Sequence, residues 1–506
     1  MLKNIKLSYL QIIFLILLLS LFLRFYNLPE SFIFAGDEEY QATLAESIVV
    51  DFHIIWIGVN AAHLGFYLGP YWTYFTSFWL WVSNGDPLLT GYISSFIGVL
   101  TTLLIIYTGS TLFNKKTGIL AGLLYATLPL IVYFDQKYWN PTLVPFLSLL
   151  ILLSLSKLKG NPLWAIPLSL GAGLIFHTHL SLFPLLLIAA FWFFREKIRL
   201  PKKILILSLI TILLTLAPLL IFDYFHKGTN ISTPLRFNEI SSDPVNKVNP
   251  AHHFKALFQT LGRVWFLNPG GINSDEVITS CTSSSRLDAS PLVDNISQRT
   301  TPTLALSIFG SFILLLFLFN KLTWRKDSSK LLALFILFII TSFLLFPGAS
   351  YEYYLLGIFP LLLFLPIILT DYFPKFEYIL FSAITVASIL GIFTVLSNTP
   401  EFGLRTKESL IKQTISVIGE DSFELKQSGI CHFYEGWRYL FVLNGKIPER
   451  SESDKSLSWL YPTEVSNKDV KYTIILSEAR APINFDIKDA QIVSSKGFKA
   501  YIFKNY

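Results

Sequence analysis

Long stretches without a single charge constrain this chain more than any other feature. Ile12–Leu23, Ile204–Leu216 and Leu331–Leu345 are uninterrupted by Asp, Glu, Lys or Arg. A helix needs about 20 mostly apolar residues to cross a bilayer, and roughly 17 is the lower limit. Applied along the sequence, that ruler predicts eleven spans, near 7–23, 91–112, 118–134, 141–156, 162–177, 180–194, 204–222, 302–320, 331–346, 354–370 and 377–396. Only 15% of the 506 residues are charged, where an ordinary soluble domain has about 25%. Soluble enzymes, disordered chains and small disulfide scaffolds are thereby excluded. The expected class is an all-α polytopic membrane bundle.

Topology turns on residues 66–83. Half of that segment is Phe, Tyr or Trp, and Gly69-Pro70 breaks its start. Such a composition suits a helix at the headgroup level rather than one crossing the core. With the N-terminus cytoplasmic and 66–83 not crossing, Lys3, Lys6, Lys115, Lys116, Lys157, Lys159, Arg195, Lys197, Arg199, Lys202, Lys203, Lys321, Arg325, Lys326, Lys330 and Lys375 all face the cytoplasm. Only Arg24 and Lys137 then lie in short external loops, whereas a crossing 66–83 inverts the bias. The positive-inside rule selects the first arrangement. The N-terminus is therefore expected inside the cell and the C-terminus outside, in the plasma (inner) membrane.

The membrane region is expected to cover 1–396, with external loops at 24–90 and 223–301. A small α/β or α+β domain is expected over 397–506. The short β-rich runs Thr414–Ile418, Ile430–Tyr434, Trp437–Leu443, Tyr472–Leu476 and Phe498–Phe503 suggest that domain. Cys281 and Cys431 both fall outside in this topology, where a disulfide is permitted; two cysteines cannot build a thiolate cluster. The net charge of +6 resides in the cytoplasmic loops and signals no nucleic acid.

Chemistry concentrates at one end of the spans. Gly36-Asp37-Glu38-Glu39 precedes Tyr40, Leu44 and Ile48, whose spacing predicts an amphipathic surface helix with Asp37 at its N-cap. Capping alone accounts for acids at such a position. A carboxylate above the bilayer and beside a cleft also suits a general base. On the same side lie Asp135-Gln-Lys137-Tyr-Trp-Asn140-Pro141, His177-Thr-His179 and Tyr351-Glu352-Tyr353-Tyr354. Lys137 has snorkelling as its plainer role, the histidines turn-capping, and the tyrosines an aromatic belt. Ionisable groups at membrane depth nevertheless mark function by default. His-x-His is a metal-ligand spacing whose other ligands would come from separate loops, so a divalent metal is only an open alternative. No Walker or dinucleotide motif is present, and no cofactor is expected.

Three features in order resemble a known family. They are a span followed by Gly36-Asp37-Glu38, the stretch His63-Leu-Gly-Phe-Tyr-Leu-Gly-Pro70-Tyr-Trp72, and a helix ending Thr111-Leu-Phe-Asn-Lys-Lys-Thr-Gly118. Together they resemble the C-type (GT-C) integral-membrane glycosyltransferases. The branch is the one holding dolichyl-phosphate-mannose–protein mannosyltransferases and the aminoarabinose transferase of lipid A, a glycosyltransferase family 39-like pattern. The resemblance spans about 1–396 and is strongest over 24–150. It implies a polyprenyl-phosphate-linked sugar as donor, a glycan, lipid or protein as acceptor, and reaction at the external membrane face with inversion. Asp37 takes the position of the candidate base, with Glu38 beside it. The family's second acid has no match: that position reads Asn140-Pro141, with Asp135 five residues earlier.

A departing phosphate gains negative charge, so a nearby cation or hydrogen-bond donor lowers the barrier. Lys137 is the first candidate for that role, followed by His177, His179 and Tyr353. Tyr71, Asp135, Asn140 and Glu352 are the expected substrate-binding residues. An oligosaccharyltransferase would carry an acid-x-Asp pair and a Trp-Trp-Asp run, and neither is present; Trp437 and Trp459 stand alone. A transporter or flippase would show related halves and charges at mid-membrane. A non-catalytic binding protein of the same fold is the remaining alternative.

Overall fold

The computed structural model describes residues 8–61, 66–233, 250–266, 304–346, 351–428, 436–451, 468–479, 481 and 483–505. Cys281, Cys431, the run Ile430–Tyr434, Trp459, and His63 with its two following residues lie outside the described residues, as does most of 234–303.

The chain begins with α1 (Tyr9–Phe25), capped by the Ser8 side chain, and a short α2 (Leu28–Ser31). Next come α3 (Gly36–Asp51), a two-stranded ribbon of β1 (Asn60–Ala61) and β2 (Phe66–Tyr67), and α4 (Tyr71–Val82). At 12 residues, about 18 Å, α4 is too short to cross the hydrocarbon core. The bundle continues through α5 (Leu88–Leu112), α6 (Lys115–Thr127), α7 (Pro129–Gln136), α8 (Val144–Leu158), α9 (Ala165–Thr178), α10 (Pro184–Arg195) and α11 (Lys202–Phe225). A short α12 (Thr229–Ser232) and α13 (Pro250–Arg263) precede α14 (Leu304–Phe319), α15 (Lys321–Arg325) and α16 (Asp327–Leu345). A 3-10 stretch over Glu352–Ile358 then runs into α17 (Phe359–Leu362), α18 (Phe364–Tyr372) and α19 (Glu377–Ser397).

Among the described residues, six helical segments are long and apolar enough to cross a membrane, and α6 with α7 makes a seventh, bent by 66°. Four further apolar helices are shorter: Tyr9–Phe25, Pro162–Thr178, Leu180–Arg195 and Leu304–Phe319. The outward faces settle what surrounds them. In α11, Leu205, Leu209, Leu213 and Leu220 are exposed, and in α19 so are Ile379, Ile389 and Phe393. Apolar faces of that extent are stable only against lipid. The protein is a multi-pass integral membrane protein. Its largest core joins α6, α7, α8, α10 and α16 around the almost wholly buried run Leu355–Leu369. Where α5 and α6 meet, a Cβ on Gly118 would lie 2.4 Å from the Ile106 carbonyl, so the two backbones approach as only glycine permits.

Beyond α19, α20 (Leu404–Ile418) leads to β3 (Phe423–Ser428), α21 (Trp437–Leu443), β4 (Arg450–Ser451), β5 (Tyr472–Glu478), β6 (Gln491–Ser495) and β7 (Phe498–Lys504). The mixed sheet has the order β4-β3-β5-β7-β6, with β3 parallel to β4 and β5 and the remaining pairs antiparallel. Two runs expected as β are helical. Thr414–Ile418 closes α20, where Leu404, Lys407, Leu410, Ile411, Thr414 and Ile418 form one buried face at helical spacing. Trp437–Leu443 is α21, opened by Gly436 at φ +88°. Burial, along one face in α20 and on all sides over Trp437–Phe441 in α21, overrides the β-branched and aromatic composition in both.

This sheet region does not bury its apolar face alone. Leu404, Leu410, Phe423, Trp437, Phe441 and Ile474 share one core with Leu28, Phe32, Phe34, Ala42, Trp72 and Ile97 from the early part of the chain. The segment Phe32–Ala35 threads through the middle of that core, fully buried.

Candidate active site

The first turn of α3 carries three successive acids with three different environments. The helix starts two residues earlier than expected, at Gly36 with Ala35 as its cap, so Asp37 lies within the first turn rather than at the cap. Its buried face only partly matches the one expected. Leu44 is covered as expected, together with Glu38, Glu39, Gln41, Ala42 and Ala45, whereas Tyr40 and Ile48 are half-buried. Small side chains there let α4 and the sheet region close in.

Asp37 points outward and is exposed. Glu38, rotated about 100° around the helix, is 3% exposed. Its Oε2 accepts from the Ala35 amide at 3.2 Å, and its Oε1 lies 3.7 Å from Lys137 Nζ. Glu39, also buried, accepts from the amides of Gly436 at 3.1 Å and Tyr439 at 2.9 Å. The acid against Lys137 is therefore Glu38, with Asp37 the neighbouring, accessible carboxylate.

Lys137 follows α7, and its position is fixed by the bend that precedes it. Pro129 begins α7, where a missing amide costs nothing. The bend delivers Asp135 into a buried ion pair with Arg24 of α1, at 2.9 Å from Nε and 2.7 Å from Nη2. Tyr125 adds a hydroxyl at 3.2 Å, and Arg24 also reaches the Tyr125 and Ala126 carbonyls and the Ser20 hydroxyl. The Lys137 carbonyl takes bonds from Ser94 Oγ at 2.7 Å and Thr142 Oγ1 at 2.9 Å. Below it, Tyr138 stacks on Trp72 of α4 with centroids 4.9 Å apart.

From Lys137 a chain of rings leads to the other predicted residues. Its ammonium sits 4.0 Å from the centre of the Trp139 ring. Trp139 lies 4.5 Å from Tyr353 by centroids, and Tyr353 lies 5.5 Å from His179, which also meets Tyr354 at 5.0 Å. His179 Nδ1 accepts from the Ser181 amide at 3.2 Å, so the neutral ring carries its proton on Nε2. Burial pushes its pKa down to about 4, making it a neutral donor rather than a cation at pH 7. Glu352, beside Tyr353, is buried against Arg263 of α13, Oε1 to Nε 2.7 Å. Asn140 opens the 3-10 turn Asn140–Leu143 and is buried.

Two candidates form a separate unit. Tyr71 stacks on His177 at 4.3 Å and 9°, and its hydroxyl donates to the Leu214 carbonyl at 2.5 Å. His177 Nε2 donates to the Thr215 carbonyl at 2.6 Å, and Nδ1 accepts from the Tyr71 amide at 3.3 Å. Both ring nitrogens are used in joining α4, α9 and α11. Gly69 is required alongside, since a Cβ there would lie 2.1 Å from the imidazole.

The structure thus pairs Glu38 with Lys137 and links Lys137 through Trp139 to Tyr353 and His179, with Glu352 next to Tyr353 in sequence and held by Arg263. Asp37 is adjacent to that group, Asp135 is held by Arg24, and Tyr71 with His177 stands apart. Sequence reasoning missed Arg263, whose signal is a lone arginine ending the amphipathic α13, and gave Arg24 no partner. No group of three or more His, Cys, Asp or Glu capable of holding a metal occurs among the described residues. Glu38 and Glu39 are already engaged, by Lys137 and by the amides of Gly436 and Tyr439.

No family model matches the sequence, and no curated protein sequence matches it either. Solved structures do. ArnT of Cupriavidus metallidurans bound to undecaprenyl phosphate superposes with TM-score 0.57 at 10% identity, covering 97% of both chains. The GT-C fold is the fold of this chain. The apo form of that ArnT superposes with TM-score 0.53, again over 97% of both chains. An apo oligosaccharyltransferase of Archaeoglobus fulgidus gives 0.53 at 13% identity, over 93% of this chain and 70% of its own. This chain therefore parallels ArnT end to end, sheet region included.

Proposed function

We propose that this GT-C chain is a glycosyltransferase that moves a sugar from a polyprenyl-phosphate carrier to an acceptor hydroxyl. The observation that carries the reading is the Lys137 ammonium, buried between Glu38 and Trp139 beside an accessible acid, Asp37. A lone buried cation of this kind is costly unless compensated, and Glu38 compensates it. An ammonium has three donors, so Lys137 can meet a phosphate oxygen while facing Glu38. The undecaprenyl phosphate in the ArnT structure supports the same class of carrier here.

In the proposed step Asp37 accepts the acceptor's hydroxyl proton as that oxygen bonds to the anomeric carbon. The bond from that carbon to the phosphate oxygen breaks on the opposite side, inverting the centre. The electron pair leaves with the lipid phosphate, where Lys137, with His179 Nε2–H and the Tyr353 hydroxyl, stabilises the gathering charge. Asn140, Glu352, Asp135 and Tyr71 belong to the surrounding binding region in this proposal, the last two as supports. The acceptor is a glycan, lipid or protein hydroxyl at the external face. The N-terminus is cytoplasmic, and 397–506 forms an extracytoplasmic part beyond the membrane region 1–396.

Purified protein in lipid, offered a panel of polyprenyl-phosphate sugars, should release or transfer sugar from one of them. Asp37→Asn should abolish that turnover while leaving insertion intact. Undiminished turnover by D37N refutes the assignment, and inertness toward every donor refutes the reading itself.

A further inference from the structure

The run of acids in α3 contains one member that the reaction does not use. Glu39 faces away from Lys137 and is buried against α21, nearly 400 residues later in sequence, where its two oxygens take the Gly436 and Tyr439 amides. Charge-assisted bonds of this kind are roughly twice as strong as neutral ones. A second grip lies immediately upstream. Lys407 of α20, 0% exposed, donates from Nζ to the Phe34 carbonyl at 2.7 Å, with its ammonium over Trp437 at 4.7 Å. A third is the Leu404 amide on the Phe32 carbonyl at 2.8 Å. Gly436 adopts φ +88°, and a Cβ on it would stand 2.6 Å from the Phe34 carbonyl. Every one of these hydrogen bonds falls on residues 32–39, flanking Asp37 and Glu38.

We infer that Glu39 and Lys407 are positioning residues, through which the C-terminal sheet region fixes the α3 turn that presents Asp37 and Glu38. The reason is geometric. Asp37 is exposed and has no packing of its own to hold it, so its location is inherited from the backbone on either side. That backbone is held by α20 and α21, and a misplacement of about 1 Å at a reacting group costs on the order of 100-fold in rate. A buried lysine reaching a backbone carbonyl, and a buried glutamate reaching two backbone amides, are otherwise expensive choices for a core. This inference rests on Asp37 and Glu38 being the reacting end of α3.

Hydrogen exchange on the full chain in lipid nanodiscs, read by mass spectrometry, tests it together with turnover. In Glu39→Gln, which keeps one acceptor and sets an NH2 against the other amide, exchange should rise at least tenfold in peptides covering 32–40 as well as 436–443. Peptides from α16 should stay at wild-type rates. With the donor that the wild type uses, kcat should fall about 10–100-fold while the donor KM moves less than threefold. Lys407→Met, which keeps the apolar stem over Trp437, should give the same pattern and serves if E39Q does not fold. D37N should lose turnover with exchange unchanged. A rise confined to 436–443, or wild-type kcat despite loosening of 32–40, overturns the positioning role. If the wild type turns over no donor, the functional reading falls, and the exchange pattern alone decides whether these residues hold the α3 turn.

Discussion

Single residues here act through what they neutralise. Arg24 and Asp135 are each buried, so removing one strands the other's charge, at a cost of about 3–5 kcal/mol. Arg24→Met should lower thermal stability sharply by fluorescence melting, and Arg24→Met with Asp135→Leu should recover much of the loss. Failure of the double variant to recover would mean that the pair also holds the Lys137 loop through the Tyr125 and Ser20 bonds. Lys137→Gln keeps a hydrogen-bond donor without the charge and should reduce turnover about 10²–10³-fold, measured as donor consumption. Lys137 was legible from sequence as the one cation at the junction before Asn140-Pro141. Its pairing with Glu38 instead of Asp37 was not, because a difference of one helical position is a rotation that local sequence does not fix. His177 misled for a related reason: a turn histidine is visible in sequence, whereas the carbonyl of Thr215 that occupies it comes from another helix.

Among the elements, the apolar segments were readable because each is written in consecutive residues. The sheet was less so. Tyr472–Glu478 and Phe498–Lys504 emerged as strands close to expectation, but β3, β4 and β6 were missed and two helices were taken for strands. Strand pairing and helix burial there depend on distant partners, chiefly Phe32–Ala35. Within the sheet, Glu424 gives a pH test. Burial opposes its charge, but bonds from Lys426, Thr473 and Arg450 outweigh that and hold its pKa at about 2. A depressed carboxylate contributes stability above its unfolded value, near 4.5, and loses it as pH falls toward 2. Glu424→Gln should therefore melt lower than wild type at pH 7, with the gap closing between about pH 4.5 and 2. A gap independent of pH would remove the charge from the explanation.

At the scale of the whole molecule, the division at residue 397 expected from sequence marks a change of composition, while the apolar core runs across it. Removing 397–506 would uncover Phe32, Phe34 and Trp72. The truncated chain should reach the membrane yet show loss of protection in 28–45 and increased aggregation by size-exclusion chromatography. A monodisperse truncated chain with protected α3 would show that the early segment folds unaided. The GT-C architecture itself was expected from the order and spacing of features along the chain, and the superposition on ArnT at 10% identity bears that fold out.

The bond between Phe34 and Lys407 joins residues 373 positions apart. A ribosome adding 5–20 residues per second needs roughly 20–75 s to cover that distance. For all that time the greasy stretch ahead of α3 exists without its eventual cover. Its survival until α20 arrives is therefore a matter of kinetics rather than of the finished core.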